Sequence, residues 1–158
     1  MPATAMFYHL TRTGLDDTVA MILTRALAQG WRVMLRAPDR ALLEHLDEKL
    51  WLGPEEGFLP HGLEGGPQDA AQPVLLGQGP ILNDARGLVL LSGAEASAEE
   101  AARLDRLWLI FDGADTGAVQ AARGQWQRLT GLGLAAQYWS DDSGAWVKKQ
   151  ERAAAGQG

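Results

Sequence analysis

Arg123 and Trp126 lie three residues apart in a stretch with helical apolar spacing, and Gln127 lies four residues beyond Arg123. Side chains at those separations share one helix face. A guanidinium beside an indole suits a ligand that carries both a carboxylate and an apolar group. The guanidinium fork pairs with the carboxylate, and the ring covers the apolar part. Three of the six Trp fall between 126 and 146, interleaved with Arg and Lys, and the segment closes on Trp146–Lys149 (WVKK). Arg128, on another side of the same helix, and Lys148 are further cations near this neighbourhood. Val119, Ala122, Trp126 and Leu129 also form an apolar stripe, so Trp126 suits core packing as well as a ligand.

Other chemistry is sparse. The chain has no Cys, which excludes disulfides, thiolate metal sites and Cys nucleophiles. His9, His45 and His61 have no metal-ligand spacing. His45 reads as a solvated helix position and His9 as a packed residue. Asp141 and Asp142, adjacent acids in a Gly-containing turn, read as solvated. Ser92 before Gly93 lacks the G-x-S-x-G elbow. The turn after the first strand, TRTGLDD, carries neither G-x-G-x-x-G nor a P-loop. No phosphate-binding loop, cofactor or metal is therefore expected, and no catalytic residue. The rival reading is a small α/β nucleotide-binding protein or enzyme with an atypical site. Convergent polar groups in the crevice at the strand C-termini would favour it.

Charge narrows the partners. The formal net charge is -6, whereas autonomous nucleic-acid binders usually carry a basic excess or stripe. DNA contact is expected only indirectly. The first residues, MPATAMFYHL, lack a basic n-region followed by a long apolar run. No stretch reaches the ~18 apolar residues that span a bilayer. A cytoplasmic protein without membrane contact is expected.

The elements that must position these residues alternate. Met6–Leu10 reads as a first strand. A helix follows Asp16 and Asp17, with Val19, Ile22, Leu23, Ala26 and Leu27 at helical spacing and Gly30 closing it. Trp31–Arg36 suits a buried strand. Pro38 opens a second helix with Leu42, Leu43, Leu46 and Leu50 on one stripe. Periodicity fails from Trp51 to Pro73, where Gly and Pro are dense. Val74–Gly77 and Leu88–Leu91 are short strand candidates, and Ala98–Arg106 predicts one or two helical turns. Leu107–Phe111 is the strongest strand and Ala114–Thr130 the third long helix. Leu134–Trp139 and Ala145–Lys148 predict a closing hairpin about a turn at Asp141–Gly144. The pattern predicts one α/β domain over 1–149, a mostly parallel sheet flanked by helices with an antiparallel strand at one edge. The segment 150–158 is expected to fray as a flexible tail.

The chain resembles the chi subunit of bacterial DNA polymerase III, the clamp-loader accessory protein, over nearly its whole length. FYHL, LDEKLW, GFLPHGL, LWLIFDG, AARGQWQRL and GLGLAAQYWSDDSGAWVKK carry the resemblance. FLPHGL and the terminal Y-W…G-x-W-x-K-K pattern are its most specific pieces. The resemblance implies a Rossmann-like domain without a nucleotide site and a non-catalytic subunit of a DNA-directed DNA polymerase complex. It implies binding of the acidic, Phe-ended C-terminal tail of single-stranded DNA-binding protein, and of the psi subunit or another clamp-loader component. The family's tail-binding helix carries an Arg, an aromatic three residues on, and then a Lys. Arg123 and Trp126 match the first two. Gln127 stands at the Lys position, with Arg128 or Lys148 as substitutes. The family's psi-contacting aromatics match Trp51 and Phe58, next to Pro60.

Overall fold

The computed structural model describes residues 3–51 and 60–154. In chain order the elements are β1 (Thr4–Leu10), α1 (Leu15–Ala28), β2 (Val33–Arg36), α2 (Arg40–Trp51) and β3 (Gly62–Leu63). A 3-10 turn at Asp69–Ala71, β4 (Val74–Gly77), β5 (Gly87–Leu90), α3 (Ala98–Arg103) and β6 (Arg106–Asp112) follow. The chain closes with α4 (Thr116–Gly131), β7 (Ala135–Ser140) and β8 (Val147–Arg152). The strands form one eight-stranded sheet in the order β3-β4-β2-β5-β6-β1-β7-β8. The β3–β4 and β7–β1 neighbours pair in parallel, as do the strands between them, and only β8 runs antiparallel, against β7.

Both faces of the sheet are covered, which is why its strands read as near-continuous apolar runs. Alternate residues of β1 go to opposite layers. Met6, Tyr8 and Leu10 join a core with Ile22, Leu23, Leu43 and Leu46 of α1 and α2. Ala5 and Phe7 join a second core with Ala101 of α3 and Ala122 and Leu129 of α4. The layer of α4 therefore lies behind the β1–β6–β7 part of the sheet.

Local signals fix the helix ends. Gly30 (φ 79) follows α1, with Gly30 N–H donating to the Leu27 carbonyl and Trp31 N–H to that of Ala26. Gly133 (φ 94) repeats this after α4, with Gly133 N–H to Thr130 and Leu134 N–H to Leu129. Only glycine adopts that left-handed step without penalty, so each helix turns sharply into the next strand. Asp115 caps α4 by accepting from Ala118 N–H, and Ser97 with Glu100 forms a capping box on α3. Helix α4 starts at Thr116 rather than Ala114 because Ala114 lies in the turn, donating its N–H to Asp112 Oδ1.

Two expectations change. The hairpin extends past Gln150, pairing Glu151 with Gln137 and Arg152 with Ala136. The stretch expected to lack periodicity contains β3, which adds an edge to β4. Of the Gly/Pro-rich segment, residues 52–59, Phe58 among them, lie outside the described residues.

Candidate functional site

Helix α4 packs Ala122 and Leu129 into the core and leaves Arg123 and Gln127 exposed. Trp126 stands between these faces, half-buried. Its ring centroid lies 5.2 Å from that of Phe7 on β1 and 6.2 Å from that of Tyr138 on β7. The stripe read from spacing is thus a core stripe, with Trp126 at its margin. Tyr138 is 6.4 Å from Phe7 in a stacked arrangement and 5.9 Å from Phe111. A 2.6 Å hydrogen bond joins the Tyr138 hydroxyl to His9 Nδ1. Burial pushes the Tyr138 hydroxyl above its ordinary value, and the nearby Arg123 charge works against that rise. The result is an aromatic shelf of Trp126 and Tyr138 with an exposed guanidinium beside it.

The other predicted cations are elsewhere. Arg128 projects from the opposite flank of α4, where its guanidinium donates to the Ala96 carbonyl before α3. Gln125 faces the same way, donating to the Ala94 carbonyl at 3.4 Å. Lys148 pairs in register with Trp139, whose ring packs on the α1 side of the sheet, and a bulge follows between Tyr138 and Trp139. Lys148 therefore belongs to the face opposite Trp126. It forms an ion pair with Glu151 at 3.2 Å, and Lys149 forms one with Asp142 at 3.3 Å. The structure brings Arg123, Trp126 and Gln127 together and leaves Arg128 and Lys148 apart from them.

Trp51 ends α2 and is 54 % exposed, with its ring 4.6 Å from that of His61. His61 is buried, and its Nε2 lies 3.1 Å from both the backbone oxygen and Oδ1 of Asp47. Pro60 is exposed beside it. This region is on the α2 end of the molecule, remote in the strand order from β7.

The crevice at the strand C-termini is a cleft of about 540 Å³ between the ends of β1, β5 and β6 and the start of α4. Its polar side chains include Asp112, Asp115 and Gln125. Asp112 Oδ1 accepts from Ala114 N–H, Asp115 caps α4, and Gln125 holds Ala94. Each is thus already engaged in holding local backbone. The turn after β1 is also filled from within. Asp141, expected to be solvated, is 1 % exposed. Its carboxylate accepts from the N–H groups of Thr11, Arg12 and Thr13 and from the Thr11 hydroxyl, at 2.6–3.2 Å. Burial works to raise this carboxyl, but the bonds from Thr13 and Thr11 outweigh it and hold it well below the usual carboxylate range. An internal carboxylate thus fills the backbone amide cradle of Thr11, Arg12 and Thr13.

Sequence reasoning missed Tyr138 and His9 as parts of the shelf, and Asp141 as a structural anion. The alternation of β7 places Tyr138 on the same face as Ala136, which was a usable signal. Nothing local marks Asp141, because its partners are about 130 residues away. Among the described residues no group of three or more His, Cys, Asp or Glu is arranged to hold a metal ion. Nor is any helix among them long and apolar enough to cross a membrane.

A family model described as DNA polymerase III chi subunit, HolC, matches residues 1–137. No curated protein sequence matches the chain.

Proposed function

The chain belongs to the DNA polymerase III chi subunit family, and from that premise we propose that it links single-stranded DNA-binding protein to the clamp loader by gripping the former's acidic, Phe-ended C-terminal tail. The observation that carries this reading is the exposed Arg123 beside the half-buried rings of Trp126 and Tyr138. A terminal Phe ring lies against Trp126, and its carboxylate or a neighbouring acid pairs with Arg123. Gln127 supplies a neutral amide where a cation would add charge, so the grip rests mainly on Arg123. The Phe7–Tyr138 stack behind Trp126 fixes the shelf before a ligand arrives, which lowers the ordering cost of binding. His9 holds the Tyr138 hydroxyl and so sets the ring's orientation.

Catalysis is not part of this reading. Asp141 fills the turn before α1 and Asp115 caps α4, so both would repel a phosphate there. The second partner surface is Trp51 with Phe58 and Pro60, offered to psi or another clamp-loader component. Its support is the exposed Trp51 ring held against His61. DNA is reached through the single-stranded DNA-binding protein, given the net charge of -6. The test is co-sedimentation with intact single-stranded DNA-binding protein and with the same protein lacking its C-terminal tail. Association only with the intact form supports the reading, and equal association with both overturns it.

A further inference from the structure

A second pocket opens on the opposite face of the sheet, between α1 and the β6–β1–β7 strands, with a volume of about 320 Å³. Four indoles line it: Trp31, Trp108, Trp139 and Trp146. Trp146 meets Tyr8 edge-on, with centroids 5.0 Å apart at 88°. Trp31 and Trp108 lie 6.3 Å apart at 49°. Trp108 is largely buried at the base of the pocket, and the Trp31 ring carries the Arg86 and Arg106 guanidinium groups, each 5.5 Å from its centroid.

The same pocket collects positive charge on an acidic protein. Arg25 of α1 and Arg106 of β6 both line it. Arg106 places its guanidinium carbon 5.5 Å from the Trp31 ring centroid, and its Nε is buried without a hydrogen-bond partner. None of the ion pairs among the described residues involves either arginine. Both charges act on the Tyr8 phenol, whose burial raises it above its ordinary value. An unpaired buried donor beside aromatic walls is costly unless something completes it.

We infer that this pocket binds a small aromatic carboxylate, its ring held among the four indoles and its carboxylate by Arg25 and Arg106. The volume of about 320 Å³ is enough for one ring with a short acid arm. Guanidinium forks match a planar carboxylate, and indole faces favour an edge-on or offset ring. Such a group comes either as a free acid or as the C-terminal aromatic residue of a peptide. The inference does not rest on the Arg123 reading, because the two sites lie on opposite faces of the sheet.

The six Trp separate the surfaces spectroscopically. Four indole N–H signals report this pocket, Trp126 reports the α4 shelf and Trp51 the α2 end. Titration of the full chain with phenylacetate and with Gly-Gly-Phe, followed by indole N–H shifts in nitrogen-15 spectra, tests the site. Saturable shifts of the four pocket indoles are expected with both ligands and persist in Arg123→Ala, whatever Gly-Gly-Phe does at Trp126 on the α4 shelf, and the amide of phenylacetate produces none. Tighter binding of phenylacetate would identify a free acid as the natural source, and tighter binding of Gly-Gly-Phe a peptide end. Arg25→Ala, at an exposed helix position, should weaken either ligand about tenfold for one lost charge-assisted contact, while Arg123→Ala should not. Unmoved pocket indoles, shifts at Trp126 alone, or equal binding of the amide would overturn it.

Discussion

Asp141 at the end of β7 accepts both the backbone N–H and the hydroxyl of Thr11 at the end of β1, each at 2.7 Å. One carboxylate thereby ties the last parallel strand to the first crossover turn.

Replacing this carboxylate should be costly. Asp141→Asn puts an amide donor among three backbone N–H groups and should destabilise the protein by about 2–4 kcal/mol. Chemical denaturation at neutral pH measures it. A midpoint shift with an unchanged slope is expected, because the effect lies in the folded state.

The same group sets an acid limit. The folded carboxyl titrates below its unfolded value, so its stabilisation is fully present above about pH 4 and is lost as pH falls from there toward the folded value. Glu100 adds to this, since its carboxyl is lowered to about 2 chiefly by hydrogen bonds from Arg36, at 2.7 and 2.9 Å. The stability gap between the wild type and Asp141→Asn should therefore narrow on acidification below about pH 4. A constant gap down to the acid transition would contradict the assignment.

Gly113 is predicted to accept no side chain. A Cβ there would meet the His9 imidazole and lie 2.8 Å from the Leu10 carbonyl oxygen. Gly113→Ala should displace His9 from Tyr138 and weaken tail binding several-fold, with a stability loss of about 1–3 kcal/mol. Peptide titration alongside thermal unfolding checks both.

The two proposed partner surfaces should be independent. Trp51→Ala and Phe58→Ala should each cost about 2 kcal/mol for the clamp-loader partner and leave tail binding unchanged. Unfolding of either variant would mean that these rings are core. Loss of tail binding in a folded variant would mean that the surfaces are one.

Much of the architecture was legible because each helix carries its own punctuation. Gly30 marks the end of α1 by its backbone freedom, as Gly133 does for α4 although spacing alone did not single it out, and the apolar runs of β1 and β6 mark strands covered on both faces. β3 was not legible, since Gly62 and Leu63 form a strand only by pairing with β4. The shared neighbourhood of Arg123, Trp126 and Gln127 follows from helical spacing, while their role as a binding site came from the family resemblance. Lys148 did not, because the register of β8 against β7 decides which face it joins. Asp141 looked like any acid in a Gly turn. Its burial depends on donors brought from the opposite end of the chain, which no local pattern encodes.

On the proposed reading, Arg123 grips the acidic tail on the shelf of Trp126 and Tyr138. Trp126→Ala is an ambiguous probe, because losing its contacts with Phe7 and Tyr138 should also cost about 2–3 kcal/mol of stability. Arg123 is exposed, so its removal should alter stability by no more than about 0.5 kcal/mol. The direct measurement is calorimetric titration of wild type and Arg123→Ala with a peptide of acidic residues ending in Phe. A loss of about 1.5–3 kcal/mol in binding with an unchanged unfolding midpoint is expected. Equal affinity of the two proteins would contradict it.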